Sequence, residues 1–177
     1  MIYDIQDSKK FPIGVFIRPT QYNGDAVAKA IELLEVLPQK LLRLVSGISE
    51  VEWEKTYRPG SWTLRQVLNH LTDANVNNYT RFKFALTEDN PTIKPYLESL
   101  WSALPDASAG PVNPTLELLV AIHAKWGQSL RTMGEGEFRR TFFHPTTQRI
   151  VPLFEAVAMY AWHSEHHLAH IRLGLES

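Results

Sequence analysis

The sequence predicts an all-α protein: a four-helix bundle with a long crossover loop between helices 2 and 3 and a short hairpin before helix 4. Three observations lead there. Four long stretches repeat apolar residues at three- and four-residue intervals, the spacing that gathers side chains on one face of a helix. Five prolines fall between Asn90 and Pro114, a density that opposes a long helix. The run from Arg140 to Val151, broken at His144-Pro145, reads as two short strands around a turn. With 177 residues, 44% of them hydrophobic, the chain has the length of one domain and enough apolar material for one core. Residues 1–177 are therefore read as a single domain.

The first helical pattern runs from about Gly24 to Val45, with Val27, Ala30, Ile31, Leu34, Leu37, Leu41 and Leu44 recurring at helical spacing. Pro38 lies inside it and removes one backbone donor, which predicts a kink or local break. The second helix starts after Pro59-Gly60, where Thr63 and Gln66 fit a capping box, and continues to about Leu86. His70 sits in its first third, and Ala74, Asn77, Arg81 and Phe84 fall near its direction on the helical wheel.

The proline-rich crossover leaves room for a short turn around Tyr96 to Trp101. A connection of this length changes what the bundle can do, because a short loop would force the next helix to be adjacent and antiparallel. The third helix spans roughly Thr115 to Met133, with Leu116, Leu119, Val120, Ile122, Trp126 and Leu130 as core candidates and Gly134 and Gly136 ending it. The fourth opens at Pro152, a favoured first helical position. Ala156, Met159, Tyr160, His163, His167 and His170 lie on one arc of it, with Glu155, Glu165, Ala169 and Arg172 read as largely opposite.

That fourth helix holds four of the chain's seven histidines within the eight residues His163 to His170. His163 and His167 are one turn apart, so both imidazoles leave the same face and can converge on one ion; His166 and His170 have the same spacing, and spacing alone does not choose between the pairs. An imidazole on a core-facing arc needs a hydrogen-bond partner or a metal. Two ligands hold a metal poorly, so a third must come from elsewhere. The chain has no cysteine, which excludes thiolate ligands, disulfides and a thiol nucleophile of its own. Three histidines with a fourth position open is the arrangement of catalytic rather than structural zinc.

The charges nearly cancel, 18 Lys and Arg against 19 Asp and Glu, so nothing steers the chain to nucleic acid. The Met1–Lys10 stretch lacks the basic start and apolar run of a signal peptide, and no later apolar run reaches membrane-spanning length; a cytoplasmic protein with no membrane partner is expected. His144 in the turn is a candidate to line a pocket, Asn77 and Arg81 to contact a substrate or orient a ligand, and Asp73 to act as a base or hold a ligand. For each the commoner use is a solvated or internally bonded polar group. His123 carries less functional promise still, and the five tryptophans are most simply core and interface.

With these residues in place, the chain resembles the DinB/YfiT-like family of metal-dependent hydrolases. The resemblance rests on Phe11-Pro12-Ile13-Gly14, the Tyr57-Arg58-Pro59-Gly60-Ser61-Trp62-Thr63-Leu64-Arg65-Gln66-Val67 run, Tyr79-Thr80-Arg81-Phe82-Lys83, Phe143-His144-Pro145, and the Trp162-His163 to His170-Ile171 segment. It implies a four-helix bundle with one divalent ion per chain, zinc first and nickel second, held by His70, His163 and His167. It also implies a homodimer, and relatives that transfer low-molecular-weight thiols such as bacillithiol. His166 and His170 are then expected to support the ligands or pack at the surface.

Three functions follow as expectations. The first is a metal-dependent hydrolase that activates water against a small-molecule substrate. The second is a metal-dependent thiol S-transferase, in which a cosubstrate thiol replaces the water. The third is a metal-binding helical bundle without turnover. No general base is assigned from the sequence.

Overall fold

The computed structural model describes residues 8–177; the Met1–Asp7 part of the stretch read above for a leader lies outside them. Four long helices form the bundle: α1 (Gly24–Leu44), α3 (Leu64–Thr87), α6 (Asn113–Arg131) and α8 (Leu153–Leu175). Single-turn helices punctuate the connections: α2 (Glu50–Trp53), α4 (Glu98–Trp101), α5 (Pro105–Ser108) and α7 (Glu135–Phe138). A hairpin of β1 (Thr141–His144) and β2 (Arg149–Pro152) precedes α8, antiparallel, with Phe142 opposite Val151.

Each long helix packs against two others, in the ring α1, α8, α3, α6. Their directions follow from the two apolar clusters that make the core. One cluster takes Val27 to Leu34 from the start of α1, Phe82 and Ala85 from the end of α3, Trp126 and Leu130 from the end of α6, and Leu153 to Ala161 from the start of α8. The other takes the opposite ends: Leu37 and Leu41, Leu64 to Leu71, Leu119, and Leu168 and Ile171. Helices α1 and α8 thus run one way, and α3 and α6 the other. Because α3 and α6 are adjacent and parallel, the chain must travel the length of the bundle between them, and the proline-rich crossover is the segment that does so. A two-residue loop could not.

Local chemistry sets the boundaries. Thr63 caps α3 by accepting from the Gln66 backbone N–H at 3.2 Å, while Gln66 reaches back to the Thr63 N–H at 3.0 Å, the reciprocal pair expected. Pro152 proves to be the N-cap of α8 rather than its first helical residue. Pro38 does not break α1. A residue with an N–H at position 38 would donate to the Leu34 carbonyl, four residues back; in this chain His123 of α6 takes that acceptor instead, its Nδ1 at 2.7 Å. The backbone group orphaned by proline is satisfied across the helix interface, and α1 continues.

The hairpin closes one end of the bundle. Phe142 and Val151 of its inner face join the first cluster, and the crossover pairs with its edge, Ile93 N–H donating to the Phe143 carbonyl at 3.0 Å and Phe143 N–H to that of Pro91 at 2.8 Å. Among the described residues no helix is long and apolar enough to cross a membrane.

Candidate metal centre

The boundary between the two apolar clusters is polar, and it is built from α3 and α8. His70 is buried, projecting from the first third of α3; His163 and His167 project from the middle of α8, half-buried and buried respectively. Their Nε2 atoms converge: 3.2 Å from His70 to His163 and 3.1 Å from His163 to His167, with the ligand atoms all within 4.8 Å of one another. Tetrahedral coordination at a zinc–nitrogen distance of about 2.0–2.1 Å would place its nitrogens about 3.3–3.4 Å apart. The two short edges are close to that value.

The protonation chemistry fits the same use. Burial, with His166 nearby, pushes His70 down to about 4. Burial and then the neighbouring His70 push His163 down to about 3, and burial followed by His163 and His70 holds His167 well below the usual histidine range. All three are neutral near pH 7, the form that ligates a metal.

His167 has a defined tautomer. A carbonyl only accepts, so the 3.3 Å contact between His170 Nε2 and the Lys10 carbonyl places the His170 proton on Nε2. Neutral His170 then has a bare Nδ1, which accepts from His167 Nδ1–H at 3.4 Å. His167 Nε2 is left with its lone pair directed into the trio. Tyr57 lies flat against His170, ring centroids 3.9 Å apart, and holds it in place. His166 does something different, stacking on Trp162 at 4.7 Å. Of the two equally spaced pairs, the structure brings His163 and His167 to His70 and leaves His166 and His170 behind them.

A cavity of about 300 Å³ opens beside His163, between α3, α8, the hairpin and the crossover. His144 and Arg81 both line it, as the sequence suggested. Asn77 does not: it lines a separate surface site beside Tyr96, and its side chain donates to the Asp73 carbonyl at 2.8 Å. Its neighbour Asn78 is the residue on the wall. Asp73 is not on that wall either, and burial and the nearby Asp106 raise its carboxyl to about 6.

Sequence reasoning missed Glu155 and Arg149. Read as facing away, Glu155 is buried against the cavity, gripped by both Arg149 Nη atoms at 2.7 and 3.0 Å and by Arg18 Nε at 3.0 Å. At 100° per residue it lies only about 80° from His163, on the flank of His166. A narrower reading of the wheel would have placed it there, but its arginine partners come from the hairpin and the N-terminal segment and carry no periodic signal.

Comparison with known proteins agrees with this architecture. A family model described as the DinB superfamily matches residues 33–171. The chain is 40% identical over 161 residues to the Bacillus subtilis protein named "Putative metal-dependent hydrolase YfiT", covering 91% of this chain and 90% of that one. It is 39% identical over 165 residues to a protein of the same designation from Geobacillus kaustophilus, covering 93% of each. The solved structure of B. subtilis YfiT, described as a probable metal-dependent hydrolase with an unusual four-helix bundle topology, superposes with a TM-score of 0.89 over 93% of this chain and 94% of that one. A mycothiol-dependent maleylpyruvate isomerase shares the fold at a TM-score of 0.66 with 17% identity, over 82% of this chain and 60% of that one. By the family match and the extent of these likenesses, the chain belongs to the DinB superfamily.

Proposed function

We propose that the protein is a metal-dependent hydrolase acting on a small molecule, with one divalent ion, zinc in the first instance, held by His70, His163 and His167. The observation that carries this is the convergence of three neutral imidazoles beside a cavity, His163 Nε2 lying 3.2 and 3.1 Å from the other two and all three ligand atoms within 4.8 Å of one another. The designation metal-dependent hydrolase, borne by relatives about 40% identical over nine-tenths of the chain, supports it. A zinc ion bound to three protein ligands supplies Lewis acidity toward a substrate oxygen and acidifies the attacking water.

The chain's own residues do the rest. His70 and His163–His167 come from two helices fixed by clusters on both sides, so the donor set is rigid before an ion arrives. His170 and the Lys10 carbonyl keep the His167 proton on Nδ1 and its Nε2 free. Glu155, committed to two arginines, braces the wall. Tyr160, whose hydroxyl burial keeps protonated, presents a neutral donor to the cavity.

Elemental analysis of protein purified without added metal, followed by assays on esters and amides in chelated and zinc-restored protein, tests this reading. Near-stoichiometric metal and hydrolysis restored by zinc are expected. Metal-free protein that takes up no zinc would overturn it, and turnover appearing only with an added low-molecular-weight thiol would replace hydrolysis by thiol transfer. We also propose a homodimer, as the family resemblance implies; light scattering showing monomer alone would refute that.

A further inference from the structure

The cavity beside the imidazole trio contains a guanidinium that no carboxylate of the described residues meets in an ion pair. Of the three arginines on its wall, Arg18 and Arg149 both close on Glu155. Arg81 does not. It donates to the Asn78 side-chain oxygen at 3.3 Å and lies near the Tyr160 hydroxyl, both neutral, and its Nε is buried with no partner among the described residues. No carboxylate of the described residues forms an ion pair with it; Glu98, the other acid on the wall, is exposed and acts on Arg81 only as a longer-range charge.

A half-buried guanidinium with neutral partners and an idle N–H is costly unless something anionic completes it. Guanidinium is planar and offers parallel N–H donors, so a planar carboxylate meets it with two hydrogen bonds at once. With the longer-range charge of Glu98 counted, the wall carries three guanidiniums against two carboxylates, one net positive charge, which suits a monoanion and disfavours a doubly charged phosphate. The volume, about 300 Å³, is at the lower end for small-molecule sites.

Building on the proposed hydrolase reading, we infer that the substrate is a small monocarboxylate, its carboxylate gripped by Arg81 and its scissile carbonyl directed at His163 and the trio. Arg81 then acts as a selector. It accepts acids and rejects their neutral amides, which would leave the guanidinium unpaired.

The test compares binding of three acids, propionate, benzoate and phenylacetate, with that of their carboxamides, by calorimetry or ligand-observed NMR, in chelated and in zinc-loaded protein. At least one acid should bind about tenfold or more tightly than its amide, about 1.4 kcal/mol, in both forms. Arg81→Met should remove that preference while metal content stays as in the parent protein. Arg81→Lys, which keeps the charge and loses the fork, should retain part of it and provides a folded comparison if Arg81→Met does not fold. Arg131→Met, at an exposed pair with Glu35, should change nothing.

Equal affinity for acid and amide in the parent protein would overturn the inference. So would acid binding that appears only with zinc and survives Arg81→Met, because the carboxylate would then be sitting on the ion. Failure to hold metal with the Arg81-dependent preference intact would sink the hydrolase reading alone.

Discussion

His123 Nδ1 meets the Leu34 carbonyl at 2.7 Å, the one acceptor in α1 that Pro38 leaves without its helical donor. The contact needs a proton on Nδ1, which the neutral imidazole supplies, and burial pushes His123 down to about 4 against the smaller upward pull of the Leu34 carbonyl. The folded chain therefore resists protonation that the unfolded chain accepts near pH 6.5. The stability contribution is complete above pH 6.5 and is lost as pH falls towards 4, by about 3 kcal/mol in total. His123→Leu should cost about 1–3 kcal/mol near pH 7, where it leaves a buried carbonyl unsatisfied, and the gap from the parent should narrow as pH falls to 4. Urea unfolding of chelated protein at several pH values measures this; a gap that stays constant with pH would refute it.

His163 is the shared member of the trio, within 3.2 Å of both other ring nitrogens. His163→Ala should reduce metal to background in elemental analysis and abolish zinc-dependent turnover, while circular dichroism shows an intact bundle. Unchanged metal content would disprove the ligand assignment.

His170 sets the tautomer of His167 without joining the trio. Replacing it with Phe keeps the stacking on Tyr57 and deletes the acceptor for His167 Nδ1–H. Zinc affinity, measured by chelator competition, should fall about 10- to 100-fold, as is usual when the group orienting a histidine ligand is removed. Wild-type affinity would show that the chain from Lys10 to His167 is idle.

Arg65 is buried at the start of α3 and binds outward to Glu54 at 2.9 Å, Glu50 at 2.7 Å and the Gly110 carbonyl at 2.6 Å, tying α2 and the end of the crossover to the helix that carries His70. Both glutamates are exposed and would return to solvent, so the expected loss for Arg65→Met is moderate, about 1–3 kcal/mol. Thermal unfolding should show a lower Tm with metal stoichiometry preserved. Loss of metal without loss of stability would indicate a more direct link to the site.

The four long helices were legible because apolar periodicity and capping are local: Thr63 with Gln66, and the leucine ladder of α1, announce themselves within a few residues. The single-turn helices α2, α5 and α7 were not expected. Four residues give too few turns to produce a period, and only their packing through Trp53, Ala107 and Phe138 sustains them. His163 and His167 could be paired from their spacing, but choosing them over His166 and His170, and joining them to His70, rested on family resemblance, since 93 residues separate His70 from His163.

Helix content, the crossover and the cluster of candidate ligands were therefore set by sequence alone, because each depends on residues near one another along the chain. The continuity of α1 through Pro38, the parallel course of α3 and α6, the burial of Glu155 and the lack of an ion-pair partner for Arg81 among the described residues were decided only by the tertiary structure. Each depends on which distant group arrives, or fails to arrive, at a backbone carbonyl or a charge, and free energies of that kind belong to pairs of residues that the chain brings together only on folding.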